Sequence, residues 1–166
     1  PVLGSDSDWP TIVAGHPELK TILAIDQPKI RAKWFEQYSA SCVKLIASNA
    51  FVSKRASLGH ANIVQRGVHI GANVQTGTAC KFNINSTLHH DVKIGDFCTI
   101  APGAQILGNV TIGAQSYIGA GAIIKQNCTI GENVTVGAGA VVISDVADGL
   151  TVVGVPAKAK DVFKSK

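Results

Sequence analysis

Hydrophobic positions recur along this chain every six residues. Stepping by six from Val52, the series runs Val52, Leu58, Val64, Ile70, Thr76, Phe82, Leu88, Ile94, Ile100, Ile106, Ile112, Ile118, Ile124, Ile130, Val136 and Val142. Sixteen positions hold register without a slip, and Thr76 is the one polar member. Four residues after each, the side chain is nearly always small, as at Ala56, Cys80, Ser86, Cys98, Ala104, Ser116, Ala122, Cys128 and Ala140. Three residues after, Gly, Asn or Asp recurs at Gly67, Asn73, Asn85, Asp91, Gly103, Asn109, Gly121, Asn127, Asn133, Gly139 and Asp145. Those residue types tolerate positive φ, so a sharp corner can repeat there. A period of six matches neither a helix nor a simple alternating strand. It predicts a parallel β-helix, with short strands and tight corners stacked into a solenoid. A chance Gly-rich sandwich does not explain so long a run in register.

Residues 1–50 follow another pattern. The run Thr-Ile-Leu-Ala-Ile at 21–25 predicts a buried strand. Pro28 opens a helical stretch to about Tyr38, since Pro suits a first helical turn. Residues 43–46 predict a second short strand. The chain therefore divides into a partial α/β segment (1–50), a β-helix (51–147) and a C-terminal tail (148–166). With Pro at position 1 and no Met, it reads as incomplete or processed.

Composition narrows the choice of function. Apolar residues make up 46% but aromatics only 5%, so the core is narrow and aliphatic. Charged residues at 16% argue against a disordered or nucleic-acid-coating chain. The net charge of +4 suits an anionic small molecule without demanding DNA. No apolar run approaches the ~18–20 residues of a membrane span. Of the four cysteines, Cys80, Cys98 and Cys128 fall on inward small positions and read as buried thiols. Unpaired thiols point to a reducing, cytoplasmic compartment. No C-x-x-C and no phosphate-binding glycine fingerprint is present.

In hexapeptide-repeat proteins three hexapeptides make one triangular coil, so residues 18 apart stack. Residues 52–147 then give roughly five coils, ~25 Å tall at the spacing of neighbouring strands. Chemistry must come from outward positions that break the pattern, and the clearest break is His89-His90-Asp91. The stack puts His90 between Ala72 below and Gly108 above, small neighbours that leave room for a ligand. Asp91 falls in a column with Asn73, Asn109 and Asn127, so it reads either as one more corner residue or as a partner for the imidazole. An imidazole takes a proton from an attacking amine or hydroxyl at neutral pH, and an adjacent carboxylate makes it more basic. His60 and His69 do not share the His90 column, and the ligand spacing of trimeric zinc-binding solenoids is not reproduced; no metal is expected.

Residues 83–97, 100–104, 108–113 and 153–158 (Val-Gly-Val-Pro-Ala-Lys) resemble the bacterial sugar acetyltransferases of the left-handed β-helix. These include nucleotide-amino-sugar N-acetyltransferases of the bacillosamine and perosamine type and sialic-acid O-acetyltransferases. The resemblance covers about residues 20–160. It implies a mainly β fold, a left-handed parallel β-helix of hexapeptide repeats preceded by a partial Rossmann-like segment. It also implies acetyl-CoA as co-substrate, a nucleotide-linked amino sugar as acceptor, and a homotrimer with active sites between subunits. By that resemblance His90 is the general base, Asp91 its acidic neighbour, and Gly108 the glycine whose N–H faces the thioester oxygen. Ala120 and Ala138 offer backbone groups to the pantetheine arm, and Asn83 lies near the sugar. Two positions depart from the family. His89 replaces an acidic residue before the base, which leaves His89 or His90 to be the base. Thr99 stands where a histidine often approaches acetyl-CoA. Three alternatives remain: a hydroxyl acceptor in place of an amine, a non-catalytic trimeric module, and a metal-dependent hydratase.

Overall fold

A computed structural model describes residues 4–160. The hexapeptide period becomes three parallel sheets that wrap one narrow core. Nearly every strand is two residues long, one side chain pointing out and the next pointing in. The first face carries Leu45–Ile46, Ile63–Val64, Lys81–Phe82, Thr99–Ile100, Tyr117–Ile118, Thr135–Val136, Thr151–Val153 and Lys158–Ala159. The second carries Phe51–Val52, His69–Ile70, Thr87–Leu88, Gln105–Ile106, Ile123–Ile124 and Val141–Val142. The third carries Ser57–Leu58, Gln75–Thr76, Lys93–Ile94, Thr111–Ile112 and Thr129–Ile130.

Register is set by the expected 18-residue step: Ile63 pairs with Lys81, Thr87 with Gln105, and Thr111 with Thr129. The second face has six strands, so the solenoid has one turn more than the roughly five expected. It also begins earlier than residue 51, because Leu45–Ile46 is the first strand of the first face. At the far end the step shortens. Thr135 pairs with Thr151 and Ile130 bridges Val146, each 16 residues on, and Lys158–Ala159 returns antiparallel to Thr151–Val153.

The core is one column of inward side chains, with Phe82, Ile70, Leu88, Ile100, Ile106 and Ile118 fully buried. Cys80, Cys98 and Cys128 are among them, unpaired, as their small inward slots predict. Burial pushes the Cys80 thiol up from its ordinary pKa.

The corners hold the expected left-handed residues. Asn73, Asp91, Asn109 and Asn127 have φ of 60°, 60°, 58° and 66° at the corner between the second and third faces. The corner between the third and first faces keeps the backbone but changes most of the side chains: Ala61, Ala79, Phe97 and Gln115 lie at positive φ, with Asn133 above them. A Cβ in that region costs about 1–2 kcal/mol per residue. Ala61, Ala79 and Phe97 offset it by packing beneath the N-terminal segment, with Trp34, Phe35 and Tyr38.

That segment holds two helices, α1 (Trp9–Gly15) and α2 (Pro28–Tyr38), the second as the sequence predicts. The expected strand at 21–25 does not form. Thr21 makes one bridge to Cys42, and the chain then bends, with Ala24 N donating to Ile22 O at 3.1 Å. Ile22 is left 40% exposed. The bend delivers Asp26 to the first face, where its carbonyl accepts from Thr99 Oγ1 at 2.6 Å. Its carboxylate meets Lys81 Nζ at 2.8 Å and Asn83 Nδ2 at 3.1 Å. Arg31, 1% exposed, completes the docking. Its guanidinium donates to the carbonyls of Ala79, Phe97 and Cys98 at 2.7, 2.6 and 2.9 Å.

Candidate active site

The His-His-Asp step follows the strand Thr87–Leu88 and turns the chain from the second face to the third. Its backbone is held from both sides. Asp91 N donates to Ala72 O at 2.9 Å, and Asn109 N donates to His90 O at 3.0 Å. The 18-residue stack therefore places His90 between Ala72 and Gly108, as the spacing predicts.

His90 Nδ1 lies 2.8 Å from Asp91 Oδ2. A carboxylate only accepts, so in the neutral ring Nδ1 is the donor and Nε2 keeps its lone pair. The two side chains are 68% and 48% exposed, so the pair is open to an approaching ligand. Asp91 Oδ1 accepts from Asn73 Nδ2 at 2.8 Å. The hydrogen bonds from Asn73 and His90 hold the Asp91 carboxyl below its ordinary pKa, helped by the charge of Arg55. Asp91 is thus both a corner residue and the imidazole's neighbour.

Gly108 lies directly against the ring. A methyl group there would sit 2.6 Å from Cε1 and 2.7 Å from Nε2 of His90. Among the described residues nothing accepts from the Gly108 N–H. An unpaired donor beside a lone pair is a place where a proton can be taken and negative charge stabilised nearby. A groove of about 760 Å³ leads from the dyad along the third face, between Arg55, Asn73, Gln75, Asp91, Lys93 and Asn109.

The other candidate residues divide between places. His89 is exposed beside His90, at the edge of the second face. Ala120 and Ala138 stand on the corner between the first and second faces, across the second face from His90, and both are exposed. Neither N–H has an acceptor among the described residues, whereas Gly139 N donates to Ala120 O at 2.8 Å. Asn83 begins the same corner two coils lower, buried, with its amide on Asp26. Thr99 is fully buried on the first face and its hydroxyl is committed to the Asp26 carbonyl. Within one chain the structure brings together His89, His90, Asp91 and Gly108, and leaves Asn83, Thr99, Ala120 and Ala138 outside that group.

Sequence reasoning did not single out Asn73 as an Asp91 partner or Asp26 as a docking residue. Asn73 was discoverable as the residue 18 before Asp91; Asp26 carried no periodic signal. Among the described residues no group of three or more His, Cys, Asp or Glu is arranged to hold a metal ion. No helix among them is long and apolar enough to cross a membrane.

Comparison with known proteins gives this geometry a family. Residues 109–144 match the bacterial transferase hexapeptide (six repeats) profile. No curated protein sequence matches the chain. Among solved structures, it is similar to a histidine-to-alanine mutant of GDP-perosamine N-acetyltransferase from Caulobacter crescentus, in complex with CoA and GDP-perosamine. That match has 30% identity and a TM-score of 0.92, covering 97% of this chain and 78% of the other. The acetyltransferase domain of PglB from Neisseria gonorrhoeae is 33% identical with a TM-score of 0.88, over 96% and 79% of the two chains. WeeI from Acinetobacter baumannii is 30% identical with a TM-score of 0.85, over 92% and 76%. The chain belongs to the hexapeptide-repeat sugar acetyltransferases. It is an acetyltransferase built on a parallel β-helix.

Proposed function

We propose that this protein transfers acetyl from acetyl-CoA to the amine of a nucleotide-linked amino-deoxy sugar, with His90 as general base. The observation that carries the reading is the His90–Asp91 pair packed against Gly108, whose N–H has no acceptor among the described residues. The similar enzyme in complex with CoA and GDP-perosamine supports the choice of co-substrate and acceptor class.

His90 Nε2 accepts the proton of the acceptor amine as the amine nitrogen bonds to the acetyl carbon. Asp91 stabilises the imidazolium that forms. The Gly108 N–H donates to the oxygen that becomes negative in the tetrahedral intermediate. The carbon–sulfur bond then breaks, the proton passes to the departing sulfur, and CoA and the amide product leave. No acyl-enzyme is needed, and the buried thiols are poorly placed to form one.

Ala120 and Ala138 fit the pantetheine arm, because both are exposed, their N–H groups have no acceptor among the described residues and their own side chains are only methyl groups. They lie across the second face from His90, so residues of neighbouring copies would meet in a cleft between two solenoids. A homotrimer with the second face turned to the threefold axis satisfies this, and it brings Asn83 of one copy toward His90 of the next. Thr99 reaches such a cleft only through Asp26, so its contribution is to hold that segment.

The test is thiol release from acetyl-CoA with GDP-perosamine or a UDP-4-amino-4,6-dideoxy sugar. His90→Ala is expected to lower kcat by about a hundredfold to ten-thousandfold, and His89→Ala far less. Release that survives His90→Ala, or that appears only with hydroxyl acceptors, would overturn the reading.

A further inference from the structure

The corner between the second and third faces carries a ladder of amides with one member changed. Asn109 Nδ2 donates upward to Asn127 Oδ1 at 3.0 Å, and Asn73 Nδ2 donates upward to Asp91 Oδ1 at 2.8 Å. Each is a step between left-handed residues 18 apart in sequence. Between Asp91 and Asn109 the ladder stops, because a carboxylate has no proton to pass upward. The oxygen thus left over, Oδ2, is the one that faces His90 Nδ1 at 2.8 Å.

We infer that Asn73 is a positioning residue for the reaction. By donating to Oδ1 it fixes the rotation of the Asp91 carboxylate, which directs Oδ2 at Nδ1 and leaves Nε2 free beside Gly108. The inference rests on His90 being the base. Asn73 touches no reacting atom and acts through Asp91. An exposed carboxylate with one hydrogen-bonded oxygen rotates freely between partners; one held at both oxygens does not. The charged groups around Asp91 are His90 on its own corner and Arg55 and Lys93 along the groove. None of these fixes Oδ1, which is the contribution of Asn73.

Two variants separate this role from a structural one. Asn73→Gly keeps the left-handed corner and removes the amide. It is expected to lower kcat about tenfold with KM for acetyl-CoA unchanged. Asn73→Asp keeps the shape but sets a second carboxylate beside Asp91. The added negative charge favours the protonated imidazole, so the acid limb of the kcat profile moves to higher pH. Imidazole nitrogen NMR spectra, which need no acceptor, are expected to show a single His90 tautomer, protonated at Nδ1, in the wild type and a mixture in Asn73→Gly. Unchanged kcat, acid limb and tautomer in these variants, while His90→Ala is inactive, would overturn the inference alone. Full activity in His90→Ala would overturn the reading beneath it as well.

Discussion

Two corners of this solenoid share a backbone and differ, over the coils that α2 covers, in what is laid upon it. At the corner between the second and third faces, Asn73, Asp91, Asn109 and Asn127 stand in left-handed conformation, and their side chains hydrogen-bond to one another or to His90. At the corner between the third and first faces, Ala61, Ala79 and Phe97 adopt the same conformation beneath α2. The first column uses residues that accept positive φ cheaply and leaves them open for chemistry. The second accepts strain and recovers it by burial. The corner geometry is thus a neutral frame: polarity and exposure of the column decide whether it holds a reactive pair or a docked helix.

The largest test of that contrast is at the covered corner. Arg31→Leu leaves the carbonyls of Ala79, Phe97 and Cys98 without their buried donor, and is expected to cost about 2–4 kcal/mol of stability in denaturant unfolding. A loss of less than half that would mean α2 is held by packing alone. At the open corner, Gly108→Ala puts a methyl group against the imidazole and is expected to lower kcat about ten- to a hundredfold while the fold persists. An active variant would show that the ring turns away at no cost.

A smaller effect separates the columns directly. Phe97→Gly relieves backbone strain but loses the edge-on contact with Phe35, 5.5 Å between ring centres, for a net cost of about 1–2 kcal/mol. Asn127→Gly on the open corner is expected to change stability by less than about 0.5 kcal/mol. Equal costs would erase the distinction. The smallest effect is titration of the docking segment. Burial raises the Asp26 pKa, but the hydrogen bonds from Lys81 and Asn83 outweigh it and leave the carboxyl below its ordinary value. Its stabilising contribution is therefore complete above about pH 4 and is lost as pH falls through the folded-state pKa. Thermal unfolding of Asp26→Asn and wild type should differ near neutrality and converge in acid; a constant gap would refute the assignment.

The solenoid was legible because one residue class marks each period, and the stack of Ala72, His90 and Gly108 followed by counting in eighteens. The Asp91 carboxylate was legible as a candidate, since Asp at a corner otherwise filled by Asn changes the chemistry available there. The direction of the Asn73 amide was not legible, because a column names neighbours but not which atom donates. Residues 21–25 misled because an apolar run announces burial without saying against what. Here that run lies beside α1 and α2 and bends to deliver Asp26. The hydrogen bonds of Thr99 and Asn83 were not legible either, because their polar atoms face that segment, whose path no periodicity encodes.

A stack of equal coils has no inherent length, and its last rung presents open amides and carbonyls to whatever strand arrives. Here the closing coil is two residues short and its strand Thr151–Val153 is paired by the antiparallel return at Lys158–Ala159. A further coil arriving in the old register would meet a mismatched platform and an occupied edge. Growth into end-to-end fibres is thereby blocked by a counting error written into the sequence.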